Sequence, residues 1–339
     1  MEKTEARPLG LTAEQKEQRK HGIGASEVAA ILGLDENRPP LDVYCEKKGI
    51  IPPFEGNNLT EIGLELEEFA ARKYAEKSGL LDAEEVALLN PRKTYAIDWK
   101  MATPDRLVVT SGDEIVRGLE AKTISVYQEK FWGKDGSQEI PEKFYCQIVW
   151  QMHVLDVDKW DVVVVFRNSA EIRVYHFIRN RETEEKLVER ITDFKENILP
   201  IDNFVEAAKI LVDWTEASKR TLARMFPAER TPLITADDEA SELAVKLSEK
   251  KEILEAAGDD AREYENKLKA IIGEAAGLEG PWGRITWKKS KDREVIDWEA
   301  VARAIAEDLA IEQKGFEKYM KSHTDVKEGS RRFLTKFSR

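Results

Sequence analysis

The chain has 339 residues, 42% of them hydrophobic, and its 53 Lys and Arg against 65 Asp and Glu give a formal charge of −12. That length allows one large or two modest domains with a real core, and the acidic balance argues against wholesale coating of nucleic acid while leaving room for a local basic track. No stretch reaches the roughly 20 apolar residues of a membrane span, and Cys45 and Cys146, far apart and without metal-ligand spacing, point to a reducing compartment and exclude a four-cysteine cluster within the chain.

The opening residues MEKTEARPLGLTAEQ are charged and lack a secretory apolar core, so the expected location is the cytoplasm. Arg19-Lys20-His21 leads into Gly22-Ile23-Gly24-Ala25-Ser26-Glu27 and a short apolar helix over 28–32, with Ser26 as a plausible N-cap. Glycines before a helix N-terminus make a natural anion seat; the plainer reading is a capped helix and nothing more. Gly33 closes that helix, and Pro39-Pro40 open another over 41–48, ended by Gly49. After a loop of Pro52-Pro53 and Gly56-Asn57-Asn58, a longer helix is predicted over 60–78 with Ile62, Leu66, Phe69, Ala70 and Tyr74 as its core stripe. Glu67 borders that stripe, where periodicity favours a solvated flank over an acid leaning toward a metal.

A strand is expected over 95–99, followed by two more strands joined by a turn. Leu107-Val108-Val109 supply the first, Thr110-Ser111-Gly112-Asp113 have turn chemistry, and 114–123 alternates again. Side chains repeat every two residues along a strand, so Glu120 and Lys122 share one face and Ala121 takes the other. Asp105 stands at the mouth of the first strand, behind Pro104. Two acids and a lysine converging at one sheet edge can hold a hard divalent cation with a water beside it. Taken alone, the same pattern also fits a surface hairpin carrying one Glu120–Lys122 ion pair.

Trp132-Gly133-Lys134-Asp135-Gly136 reads as a polar loop, and a helix over 140–155 carries Phe144, Ile148 and Met152 on its core line, with Gln147 and Gln151 beside it. Strands over 160–166 and 171–178 join through Arg167-Asn168-Ser169, and the run Val162-Val163-Val164-Val165 predicts a sheet covered on both faces. A helix over 182–198 ends this part before Pro200. Segment 204–224 is predicted helical, and Pro227 and Thr231-Pro232 read as a linker. Ala240, Leu243, Leu247, Leu254, Ala257, Ala261, Tyr264, Leu268, Ile271 and Ala275 then keep alternating three- and four-residue spacing, with Lys250 filling the missing place. That is the pattern of a helical hairpin arm or coiled coil. Gly258 within it costs about 1 kcal/mol against alanine and marks a candidate break. Gly280-Pro281-Trp282-Gly283 ends the arm; a strand over 284–289, a helix over 298–309 and a basic-aromatic tail over 330–337 follow. Such a tail suits an edge strand or a nucleic-acid-facing segment.

Five segments stand in order: Gly22-Ile-Gly-Ala-Ser26-Glu-Val-Ala-Ala-Ile-Leu-Gly33, Gly63-Leu-Glu-Leu-Glu67, Thr103-Pro-Asp105, Glu120-Ala-Lys122, and Phe144-Tyr-Cys-Gln147-Ile-Val-Trp-Gln151-Met152. Together they resemble the YqaJ-type viral recombinase family, a branch of the lambda exonuclease-like nucleases with the PD-(D/E)xK core. The resemblance covers about residues 19–180, and the C-terminal third resembles the extension on longer phage members. It implies an α/β nuclease domain over 1–203, with a mixed central sheet flanked by helices, and a mostly α-helical extension over 204–339. By the same resemblance, Asp105, Glu120, Glu67 and the Ala121 carbonyl would hold Mg²⁺, with Mn²⁺ as a substitute. Lys122 would orient or activate the attacking water and balance phosphate charge, and Gln147 would position that water or Lys122. Ser26 and Arg19 would hold the 5′-phosphate of a DNA end.

The implied activity is 5′→3′ exonuclease digestion of double-stranded ends, leaving 3′ single strands for a single-strand annealing protein in phage-type recombination. Toroidal trimers in the cytoplasm of a bacterial host are implied with it. Carboxylates are the right hard ligands for such chemistry. The four histidines, His21, His153, His176 and His323, lack zinc-binding spacing, no Ser or Cys stands in a recognisable triad setting, and no Walker A motif is present. Two other readings remain open at this point. One is a structure-specific or restriction-like endonuclease on the same core; the other is a non-catalytic end-binding or assembly protein working through its heptad arm.

Overall fold

The computed structural model describes residues 13–52, 58–80, 86–167, 169, 171–292 and 296–323. Pro53, Gly56, Asn57, Asn168 and the 330–337 tail lie outside the described residues. The chain forms two compact units, Met1–Met225 and Phe226–Arg339.

In the first unit α1 (Ala13–His21) leads through β1 (Ile23–Gly24) into α2 (Ala25–Ile31) and α3 (Pro40–Lys47). Then come α4 (Asn58–Ser78), β2 (Val86–Leu89), β3 (Tyr95–Ile97), β4 (Lys100–Ala102), β5 (Arg106–Thr110) and β6 (Ile115–Ile124). After α5 (Val126–Glu129) and α6 (Glu142–Leu155), β7 (Lys159–Phe166) and β8 (Glu171–Ile178) complete the sheet. α7 (Arg181–Asp193) continues as a π-helical turn over Phe194–Ile198, and α8 (Phe204–Leu211) and α9 (Glu216–Met225) close the unit.

The main sheet has the order β2-β5-β6-β7-β8, and β6–β7 is its parallel pair. A parallel pair needs a long crossover, which the α5–α6 segment supplies. The valine run of β7 alternates between two covered faces. Val162 and Val164 pack with Ile148 and Met152 of α6, and Val163 and Val165 with Ala70 and Tyr74 of α4. Each such side chain contributes on the order of 1.5–3 kcal/mol by leaving water. Gly118 lies against the fully buried Trp160: a Cβ there would come 2.2 Å from the indole, so a side chain at 118 would push β6 off β7.

A second layer packs α2, α3, α7 and α8 around Tyr44 and Trp150. Trp150 Nε1 donates to the Met101 carbonyl at 3.1 Å, and β1 pairs parallel with β4. These contacts fix the Gly22–Ser26 turn against β4, which with β1 and β3 forms a separate small sheet.

Three differences from the sequence reading have physical causes. Ile62 is 43% exposed, because α4 first meets the sheet at Ala70 and Ala71. Segment 204–224 breaks between α8 and α9, where Asp213 Oδ1 accepts the Thr215 N–H at 2.9 Å and the Ser218 hydroxyl at 2.6 Å, a local bond that competes with helix continuation. Thr221 and Arg224 of α9 both donate to Asp42 on α3, so the first unit runs to Met225, beyond the expected boundary at 203.

In the second unit α10 (Asp238–Ile272) is one continuous helix, capped by Asp237, that passes through Gly258 without a break. Its heptad positions Leu243, Leu254, Tyr264 and Ile271 are exposed, so the segment is a single helix and not a hairpin of two. β9 (Gly277–Gly280), β10 (Gly283–Thr286), α11 (Trp298–Asp308) and α12 (Gln313–Ser322) follow. Among the described residues, no helix is long and apolar enough to cross a membrane.

Candidate active site

β5 and β6 form the expected antiparallel pair, with Arg106 opposite Leu119 at its open end. Beyond Leu119, β6 continues to Ile124 beside β7 only, so the two strands part as a fork. Asp105 stands in the fork, and its Oδ2 accepts the Ala121 N–H at 2.8 Å. In an extended strand a residue's N–H and C=O face the same side, so the Ala121 carbonyl also faces the fork. Arg106 is buried, with NH2 2.7 Å from Glu68 on α4, and this pair ties the helix that carries Glu67 to the strand that follows Asp105.

Glu120 and Lys122 share the face toward α6, as alternation requires. Glu120 Oε1 accepts from Lys122 Nζ at 2.6 Å and from Gln147 Nε2 at 2.5 Å, and its Oε2 accepts from Gln151 Nε2 at 2.9 Å. Gln147 Oε1 in turn accepts from Lys122 at 3.1 Å, and the Phe144 ring lies 5.3 Å from the ammonium. Gln147 and Gln151 stand one helical turn apart on α6, which lets both reach one carboxylate. Gln151 is fully buried and its Oε1 has no hydrogen-bond partner.

The electrostatics show an excess of negative charge. Desolvation pushes the Asp105 carboxyl well above the usual range, with repulsion from Glu120 and Glu67 adding to it. Desolvation and the Glu120 charge likewise push Glu67 up to about 7. Burial works against the Lys122 charge, but Glu120 and Asp105 outweigh it and raise the ammonium above its ordinary value. Glu67, Asp105, Glu120 and Lys122 therefore lie within electrostatic reach of one another, and two of the acids resist ionisation.

That is the donor set of a hard divalent cation: oxygens only, with a charge deficit a cation would relieve. Among the described residues no three such side chains are already drawn together as a ligand group. Glu120 is held by three protein donors and Asp105 Oδ2 by the Ala121 amide, so cation binding would exchange some of these bonds.

The Gly-rich turn is a second cluster of the same unit. Gly24, not Ser26, is the N-cap of α2, and Ser26 falls in its first turn. The buried Glu27 carboxylate accepts the Gly24 N–H at 2.7 Å and Lys47 at 2.8 Å, and Arg38 lies 3.4 Å away. Arg19 NH1 is 3.4 Å from Ser26 Oγ, and its guanidinium lies over Gly24, where a Cβ would come within 3.4 Å. Arg19 Nε is buried without a partner. Burial pulls the Arg19 pKa down while Glu27 and Glu120 pull it up, so this seat lies within electrostatic reach of the acid site. Hydrogen bonds link Asp105 to Ala121 and Glu120 to Lys122 and Gln147, while Glu67 and Arg19, with Ser26 beside Arg19, lie within electrostatic reach of Glu120. Glu27, Arg38, Lys47 and the Glu120-binding role of Gln151 were not read from sequence. Glu27 alone had a signal there, a glutamate three residues into a helix after its cap.

Residues 14–158 match the family model of the YqaJ-like viral recombinase domain. The chain is similar to the uncharacterized protein YqaJ of Bacillus subtilis (strain 168), at 26% identity over 296 residues, covering 81% of this chain and 86% of the relative. It is also similar to the solved alkaline exonuclease LHK-Exo from Laribacter hongkongensis, at 18% identity and a TM-score of 0.42 over 63% of this chain and 100% of that one. A phage related exonuclease from Haemophilus somnus 129PT matches at 15% identity and a TM-score of 0.36, over 60% and 96% of the two chains.

Proposed function

We propose that this chain, with its YqaJ-like viral recombinase match over residues 14–158, is a metal-dependent deoxyribonuclease acting 5′→3′ on double-stranded DNA ends. One observation carries the reading: the fork between β5 and β6 sets Asp105 against the Ala121 amide and seats a Glu120–Lys122–Gln147 network beside it. Asp105, Glu120, Glu67 and the Ala121 carbonyl would hold Mg²⁺ or Mn²⁺, which supplies Lewis acidity toward a phosphate oxygen when bound.

The chain's own residues do the rest. In the metal-free site the Glu120 and Asp105 charges raise the Lys122 ammonium above its ordinary pKa; there it would donate hydrogen bonds to the phosphate and orient or activate the attacking water. Gln147 binds both Lys122 and Glu120 and so fixes the ammonium between α6 and the fork. Gln151 holds the second Glu120 oxygen from the buried side. Arg19 and Ser26 offer donors for a terminal 5′-phosphate, and this seat supports action at ends over internal cutting. A ring-shaped homotrimer, hand-over of the 3′ strand to an annealing protein, and a cytoplasmic phage or prophage setting follow from the family resemblance and belong to the proposal.

The test is Lys122→Ala on a linear duplex with Mg²⁺. Hydrolysis falls about a hundredfold or more, while duplex binding in EDTA persists. Undiminished hydrolysis by the variant refutes the assignment.

A further inference from the structure

In the second unit the chain after α10 doubles back as the β9–β10 hairpin, with Leu278 opposite Ile285 and Gly280 opposite Gly283. The Trp287 N–H donates to the Ala276 carbonyl at 2.9 Å, so the ladder runs one residue further. Alternation then places Leu278, Gly280, Ile285 and Trp287 on one face and Glu279, Arg284 and Thr286 on the other. The Trp282 ring lies over Gly280 on the first face: a Cβ there would sit 2.6 Å from the indole nitrogen, so a side chain at 280 would displace the ring. Trp282 thus joins Trp287 on the same face, roughly 14 Å apart at about 3.4 Å per strand residue. Leu278 and Ile285 are half-buried between them, yet Trp282 keeps 61% and Trp287 50% of their surface exposed.

Charge sets this hairpin apart from the acidic helix before it. Over 277–292, Arg284, Lys288, Lys289 and Lys291 stand against Glu279 and Asp292. Arg284 is paired with Glu279 at 3.1 Å and Lys289 with Asp292 at 2.8 Å. Among the described residues, Lys288 and Lys291 have no ion-pair partner. Two flat exposed rings, one seated over a glycine, followed directly in the chain by unpaired cations, complement a polyanion whose bases are unstacked.

We propose that this face binds single-stranded nucleic acid, with Trp282 and Trp287 stacking on bases and Lys288 and Lys291 meeting phosphates. A duplex hides its base faces, so the hairpin distinguishes single strands from double. The inference goes beyond the nuclease reading, because none of these residues belongs to the acid site.

The test uses the full chain in EDTA and the fluorescence anisotropy of a labelled oligo(dT) without a 5′-phosphate. Trp282→Ala with Trp287→Ala weakens binding at least tenfold, whereas Trp282→Phe with Trp287→Phe retains it, and thermal melts of both variants match the parent. Blunt duplex binding changes little. Unchanged oligo(dT) affinity in the alanine variant overturns the proposal, as does equal loss of heparin binding, which would mean plain electrostatics. A change of oligomeric state with oligo(dT) affinity intact would assign the face to a second copy and also overturn it. Because binding is read without hydrolysis, an inactive nuclease site leaves the experiment valid.

Discussion

Glu67→Gln should stabilise the metal-free protein, and only above acidic pH. A carboxyl held at about 7 instead of 4.5, by desolvation and the Glu120 charge, disfavours its ionised form by about 3 kcal/mol. Glu67 is half-buried, so solvent screening reduces this to about 2 kcal/mol. The sign follows from proton binding: the folded state keeps the Glu67 proton longer than the unfolded chain does. Stability is therefore full below pH 4.5, falls as pH rises toward 7, and stays low above it. Glutamine removes that loss, and it also relieves the Glu67 repulsion on Asp105. Urea unfolding in EDTA, followed by tryptophan fluorescence, should show a gain of about 2 kcal/mol at about pH 8 and almost none at about pH 4. Mg²⁺ should stabilise the parent more than the variant, since a cation and a neutral side chain relieve the same repulsion. A variant no more stable than the parent at the higher pH, or one with the same gain at both, refutes the charge-excess reasoning.

Two further outcomes are expected. Gly258→Ala, at a mid-helix position with open space around it, should raise the stability of the second unit by about 1 kcal/mol in thermal melts, and a loss of stability would show that α10 needs the glycine. Ser26→Ala with Arg19→Ala should abolish the preference for 5′-phosphorylated over unphosphorylated linear duplex while leaving slow digestion of both, and a retained preference would place the phosphate seat elsewhere.

The legible part of the site was the part fixed within one element. Strand alternation put Glu120 and Lys122 on one face, and helical spacing put Gln147 and Gln151 one turn apart. The four-valine run announced a sheet covered on both faces. What depends on how strands part was not legible: nothing local says that β5 ends beside Leu119 and leaves Asp105 against the Ala121 amide. The Glu27–Lys47–Arg38 cluster arises from α2 packing on α3, so its members are scattered in sequence without periodicity. The cap stands at Gly24, two residues before Ser26, where no side chain announces it and Glu27 accepts the Gly24 N–H from inside the helix. The α8–α9 break turned on one aspartate outcompeting the helix, a choice local propensity does not decide.

The most direct test of the central claim is digestion of a linear duplex labelled at its 5′ or 3′ ends, beside a covalently closed circle, with Mg²⁺. Early release of the 5′ label, late release of the 3′ label, an intact circle and no release in EDTA are expected. Early release of the 3′ label, cutting of the circle, or metal-independent hydrolysis would contradict the claim.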